Sequence, residues 1–260
     1  MFDRIPANAL PALTLACLLA PFAAQAQEQV EDAASQATPW RVGLGVASFA
    51  RPYTGSDKRI AAFPNISYEN EYVRIAGLGV DLKLGSAEGF RFSLRTKYAL
   101  GDGYKSGDAP ILDGMATRRG SLWLGPAVRW NTELGRLSFE VMGDALGKSK
   151  GLQAKLGAEH DFRFGSFMLT PHLGAEFVDK KYVDYYYGVM GSEATARRAA
   201  YTGRSTVNAE AGLRLGFGID ARNTVFADAT VKAYGKGITD SSLVDKKTAP
   251  GFFLGYVHRF

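Results

Sequence analysis

Side chains alternate between apolar and polar over unusually long segments of this chain, nowhere more cleanly than in its last ten residues, GFFLGYVHRF. Counting back in twos from the C-terminus gives Phe260, His258, Tyr256, Leu254 and Phe252, with Gly251, Phe253, Gly255, Val257 and Arg259 between them. A strand has a side-chain period of two, so the first set forms one aromatic, nearly apolar face and the second points the other way. The period repeats over 90–100, where Phe90, Phe92, Leu94, Thr96, Tyr98 and Leu100 alternate with Arg91, Ser93, Arg95 and Lys97. A helical period of 3.6 would scatter both sets around a cylinder, so these segments are read as strands.

Further segments of this kind are 40–49, 61–68, 72–84, 121–130, 136–145, 152–162, 167–177, 207–219 and 225–233. Proline donates nothing to a ladder, so Pro64 is expected at a strand start or a bulge. Soluble strands typically run about 5–6 residues, whereas a tilted strand crossing a bilayer needs about 9–11. Most of these segments reach or exceed the second length. Their connections alternate too: short at 86–88, 131–135, 163–166 and 221–222, long at 101–120, 179–206 and 234–249. Short turns on one side and long loops on the other characterise membrane barrels. The expected fold is therefore all-β, a transmembrane antiparallel β-barrel of about 10–12 strands over 40–260, with short periplasmic turns and longer extracellular loops. A soluble β-sandwich is the competing reading. Eleven segments cannot make an even-numbered barrel. Ten result if one near the N-terminus is not a membrane strand, and twelve if part of 182–189 is one.

Residues 1–26 read as a secretory signal peptide: Arg4 gives a positive start, 9–23 are almost wholly apolar, and Ala24-Gln25-Ala26 places cleavage before Gln27. A lipoprotein signal acylated at Cys17, the chain's one cysteine, is the rival. Thr14-Leu15-Ala16 lacks the leucine expected three places before such a cysteine. Residues 27–39 are polar and alanine-rich and read as a flexible periplasmic leader. No later run approaches the ~18 continuous apolar residues of a membrane helix. The expected destination is the cell outer membrane of the Gram-negative type. A net charge of +5 without a basic cluster suits an anionic surface and points to no nucleic acid.

The polar faces would line the barrel interior. They carry Arg91, Arg95, Lys97, Arg129, Lys155, Arg214 and Lys232 against Glu140, Asp144, Glu159, Glu176, Glu210 and Asp228. Near balance of sign is expected where unpaired charge is costly, and the groups should pair across a narrow lumen. A selective pore lined by them is the alternative. Catalysis would need a serine beside a histidine. No serine lies two residues from His160, His172 or His258, and three isolated histidines offer no metal-ligand spacing, so neither enzyme, metal nor cofactor is expected. Gly43-Leu44-Gly45 and Gly77-Leu78-Gly79 are better explained as small residues in a crowded barrel than as phosphate loops, since no helix follows. Tyr185-Tyr186-Tyr187, in the long loop, could bind a sugar or partner, or pack the loop onto the barrel rim.

Several motifs together resemble the MipA/OmpV family of outer-membrane proteins. They are Pro52-Tyr53-Thr54-Gly55-Ser56-Asp57, Phe63-Pro64 with Tyr68, Leu112-Asp113-Gly114-Met115, Gly125-Pro126, Tyr186-Tyr187-Gly188-Val189 with Glu193-Ala194, Tyr201, Asn208, Asp240-Ser241-Ser242-Leu243-Val244 and the terminal Phe260. The order and spacing cover nearly the whole chain after the signal; Ser242 stands where the family usually has proline. The resemblance implies a non-enzymatic barrel embedded in outer-membrane lipid, with Phe260 as part of the signal by which barrels are recognised for assembly. In the family's namesake, the barrel bridges a murein hydrolase and a murein synthase. Other relatives are associated with adhesion, stress response or small-molecule passage, so a narrow channel or a surface adhesin stands as the alternative to a scaffold.

Overall fold

Alternation on this scale leaves one whole surface of the chain apolar, and a sheet closed on itself satisfies every ladder while turning that surface outward. A computed structural model, describing residues 39–99 and 102–260, has this arrangement. Its strands are β1 (Trp40–Phe49), β2 (Arg59–Glu69), β3 (Val73–Ala76), β4 (Gly79–Ala87), β5 (Phe90–Tyr98), β6 (Leu122–Thr132), β7 (Gly135–Asp144), β8 (Leu152–Glu159), β9 (Phe162–Phe164), β10 (Phe167–Val178), β11 (Thr206–Gly218), β12 (Asn223–Ala233) and β13 (Thr248–Arg259). Neighbours are antiparallel throughout, and β1 meets β13 from Arg41↔Arg259 to Phe49↔Gly251. β8 and β9 pair with different stretches of β10, as one interrupted strand. The result is a closed barrel of twelve strand positions.

Twelve is reached by a route the period did not reveal. Segment 72–84 is two strands, β3 and β4, joined by a turn at Gly77, whose φ is 55°. Val73 and Ile75 face out before the turn and Val80 and Leu82 after it, so the outward phase shifts by one residue, a break that the small or apolar run Ala76-Gly77-Leu78-Gly79 hides. Conversely, 182–189 contributes no membrane strand. Lys180–Tyr187 is a helix, α1, because its apolar and aromatic residues recur at helical spacing after an N-cap at Asp179. A second, shorter helix, α2, is Lys236–Thr239. The signal peptide and all but the last residue of the leader, 1–38, lie outside the described residues.

The outer wall is apolar and open: Leu44 is 67% exposed, Ile60 67%, Leu173 64% and Phe252 60%. A continuous belt of such residues has no place in water and fits lipid. Rings gather at the turn end, with Phe90 stacked on Trp130 at 5.0 Å and Trp40 against Tyr68 at 4.7 Å, the position of an interfacial aromatic girdle. His160 and His258 belong to the same rim, donating from Nδ1 to Leu134 O and Asn223 Oδ1 respectively. No helix among the described residues is long and apolar enough to cross a membrane.

Inside, the two sides of the barrel differ. Beneath β12, β13, β1 and β2 the lumen is filled by Phe63, Phe226, Phe253, Val257, Ala47 and Ala61. Phe253 lies 5.6 Å from Phe63 and 5.1 Å from Phe226. Gly45 and Gly255 make room for these rings, since a Cβ would stand 2.8 Å from Phe253 and 2.6 Å from Phe226. The opposite side carries the charges.

Candidate functional site

The extracellular end is closed by its loops. α1 starts where Asp179 Oδ1 accepts from the Tyr182 amide at 2.9 Å, and it drives Tyr182, Val183, Tyr186 and Tyr187 inward. Tyr53 stacks on Tyr187 at 5.6 Å, meets Tyr104 edge-on at 5.3 Å and donates its hydroxyl to Tyr186 O. Leu112, Met115, Trp123, Met142, Ile238 and Leu243 complete one buried apolar core. Two arginines tie the loops: Arg118 pairs with Glu193 at 3.0 Å, and Arg198 donates to the carbonyls of Glu193, Ile111 and Asp113. Arg51 and Arg59 both hold Asp108, each at 2.9 Å.

This cap absorbs most of the loop residues that carry the family resemblance. Pro52, Tyr53, Tyr186, Tyr187, Gly188 and Leu243 are buried in it. Gly55, at φ 73°, turns against Pro110, and Ser56 donates to Arg51 O. Asp57 and Asp240 are exposed, Asp240 pairing with Arg204. The tyrosine run thus packs the loop onto the barrel. Burial holds the phenols of Tyr53, Tyr182, Tyr186 and Tyr187 above their ordinary range and pushes Tyr104 up to about 12, so they stay neutral at any physiological pH. Burial pushes Asp102, on the loop over the lumen, up to about 6, with Lys232 opposing.

Below the cap, strand register sets charges opposite one another. Arg95 faces Asp81 across the β4–β5 ladder and grips both its oxygens at 2.8 Å, while its third nitrogen reaches Glu140 at 2.9 Å. Lys97 takes the other Glu140 oxygen at 2.9 Å. Arg136 binds Glu159 and Asp161, Lys155 approaches Glu210 at 3.4 Å, and Glu176 accepts from Lys232 and Asn208. Asp228 receives Arg214 at 2.9 Å, His172 at 3.1 Å and Thr230 at 2.6 Å. Arg91 and Arg129 stand toward the turn end, at the mouth of a cavity of about 630 Å³. Arg74, Arg95, Arg136, Glu140, Lys155 and Arg214 line its wall. Its lining includes the turn residues Glu71 and Tyr72 but not Lys97, Glu176 or Lys232, so it faces the periplasm and ends beneath those paired charges.

Of the charges that sequence reasoning assigns to the lumen, Arg91, Arg95, Arg129, Glu140, Glu210 and Arg214 line this cavity, and Glu176 pairs with Lys232 outside its lining. That reasoning misses Asp81, Arg74 and Lys83, which belong to the undivided 72–84 segment. Recognising Gly77-Leu78 as a turn would have put all three on the inner wall of a hairpin. Chemically, the lumen holds paired charges. His172 turns to a carboxylate rather than a serine, and no cluster of three or more His, Cys, Asp or Glu able to hold a metal occurs among the described residues.

A profile of the family described as MltA-interacting protein MipA matches residues 42–260, the whole barrel after its first two residues. The chain belongs to the MipA family. Among its MipA-like relatives is the putative outer membrane protein YiaT of Escherichia coli K12, 28% identical over 234 residues, covering 88% of this chain and 94% of the relative. The outer membrane protein OmpV of Vibrio cholerae serotype O1 is 26% identical over 208 residues, 79% of this chain and 80% of the relative. The MltA-interacting protein of Escherichia coli K12 is 24% identical over 223 residues, 84% and 89% of the two chains. This MipA-family protein is accordingly a β-barrel of the outer membrane.

Proposed function

We propose that this MipA-family barrel is a non-enzymatic scaffold that fixes murein-processing enzymes to the outer membrane, contacting a murein hydrolase and a synthase through its periplasmic turns and leader. The observation that supports it is the asymmetry of the molecule: the extracellular end is filled by an apolar cap, while the accessible interior faces the periplasm. The name of the Escherichia coli relative, MltA-interacting protein, agrees with this reading. Photo-crosslinkers placed at Glu71, Glu88 and Leu134 in intact cells test it. Adducts with murein hydrolases or synthases are expected, and adducts confined to lipid and assembly machinery would defeat it.

The charged cavity favours a second reading, a narrow channel. Stable single-channel steps in planar bilayers, abolished by substituting Arg95 or Arg214, would support the channel over the scaffold.

A further inference from the structure

One buried charge in the lumen is under-used. Arg214 lines the cavity with its side chain 3% exposed, and its Nη2 holds Asp228 at 2.9 Å. Its Nε and Nη1 are also buried, yet neither finds a hydrogen-bond acceptor among the described residues. A guanidinium carries five donors and no acceptor, and buried donors are as a rule satisfied. Only Nη2 reaches Asp228, whose oxygens also bind His172 and Thr230.

The cavity lining holds eight basic side chains, Arg74, Lys83, Arg91, Arg95, Arg129, Arg136, Lys155 and Arg214, against six acidic ones. Asp161 and Asp228, behind the lining, pair with Arg136 and Arg214. Ser93 and Ser138 add hydroxyls, and the volume of about 630 Å³ lies in the roughly 300–1,000 Å³ range of small-molecule sites. An unsatisfied guanidinium N–H beside such a cavity suits a carboxylate or phosphate oxygen.

We infer that the periplasm-facing cavity is a binding site for a small, polar anion whose carboxylate or phosphate is held by Arg214. The site goes beyond the scaffold reading and does not depend on it, since a ligand entering from the periplasm need not cross the cap.

The full mature barrel, purified in detergent at low ionic strength, would be titrated calorimetrically with glucuronate, with inorganic phosphate and with glucose. Saturable binding of glucuronate or of phosphate is expected, weakened by added salt, with glucose silent. Preference between the two tells a carboxylate site from a phosphate site. Arg214→Gln is expected to weaken binding at least tenfold. If that variant does not assemble, Arg214→Leu combined with Asp228→Asn removes both charges together and keeps the comparison. Absence of binding by either anion, equal binding of glucose, or binding that survives loss of Arg214 would overturn the inference.

Discussion

Gly255 sits where a side chain has no room. A Cβ there would fall 2.6 Å from Phe226 and 2.7 Å from Phe253, two rings stacked on one another, with Phe253 also against Phe63. Overpacking of this kind typically costs about 1–3 kcal/mol. Gly255→Val should therefore lower the temperature at which the folded, fast-migrating gel band converts to the unfolded one, while the same change at Gly191, which meets nothing within 4 Å, should not. Asp102 supplies a pH effect of definite sign. Its folded value of about 6 lies above the ordinary 3.8, so the folded cap keeps the proton after the unfolded chain has lost it. Stability is then highest below about 4 and declines as pH rises toward 6 and beyond. At roughly 1.4 kcal/mol per tenfold change in proton affinity, the loss is about 2–3 kcal/mol. Melting at pH 5 and pH 7.5 should show this slope, and Asp102→Asn should flatten it. A slope unchanged in that variant would assign the effect elsewhere.

At the level of elements, the cap loops are held by a few side chains reaching across from one loop to another. Arg198, 4% exposed, donates to carbonyls at positions 111, 113 and 193 and so joins the loop after β5 to the loop after β10. Lysine cannot reproduce that fork. Arg198→Lys should loosen the cap by about 2–4 kcal/mol, on the scale of charged hydrogen bonds of ~1.5–3 kcal/mol each, and should speed protease cutting of surface loops on whole cells. Unaltered cleavage would mean that the apolar core alone holds the loops. Elements also mark where sequence reading stops. Strands such as β5, β10, β11 and β13 are legible because each has one lipid face and one lumen face, which forces a strict period of two. The β3–β4 hairpin is not, because the small or apolar run Ala76-Gly77-Leu78-Gly79 hides the one-residue shift of phase at the turn. α1 is missed for a different reason. Its tyrosines are buried by other loops, a tertiary circumstance that local alternation cannot report. Charges on the inner face were readable one by one, but their partners depend on register, which only the closed barrel supplies.

For the molecule as a whole, assembly and stability should separate at Phe260. Its ring is 59% exposed and touches His258 at a centroid distance of 5.0 Å, so little packing is lost with it. Phe260→Ala is expected to leave the melting of barrel refolded in detergent nearly unchanged while lowering the amount recovered in the outer-membrane fraction of cells. Equal recovery would remove the terminal ring from recognition. The pairing of Arg41 with Arg259 carries a last consequence. A chain made from its N-terminus forward presents β1 long before its partner exists, so one edge of the growing sheet must wait, unzipped, until residue 259 has been delivered. Cutting away β13 would expose two raw edges at once, on β1 and on β12.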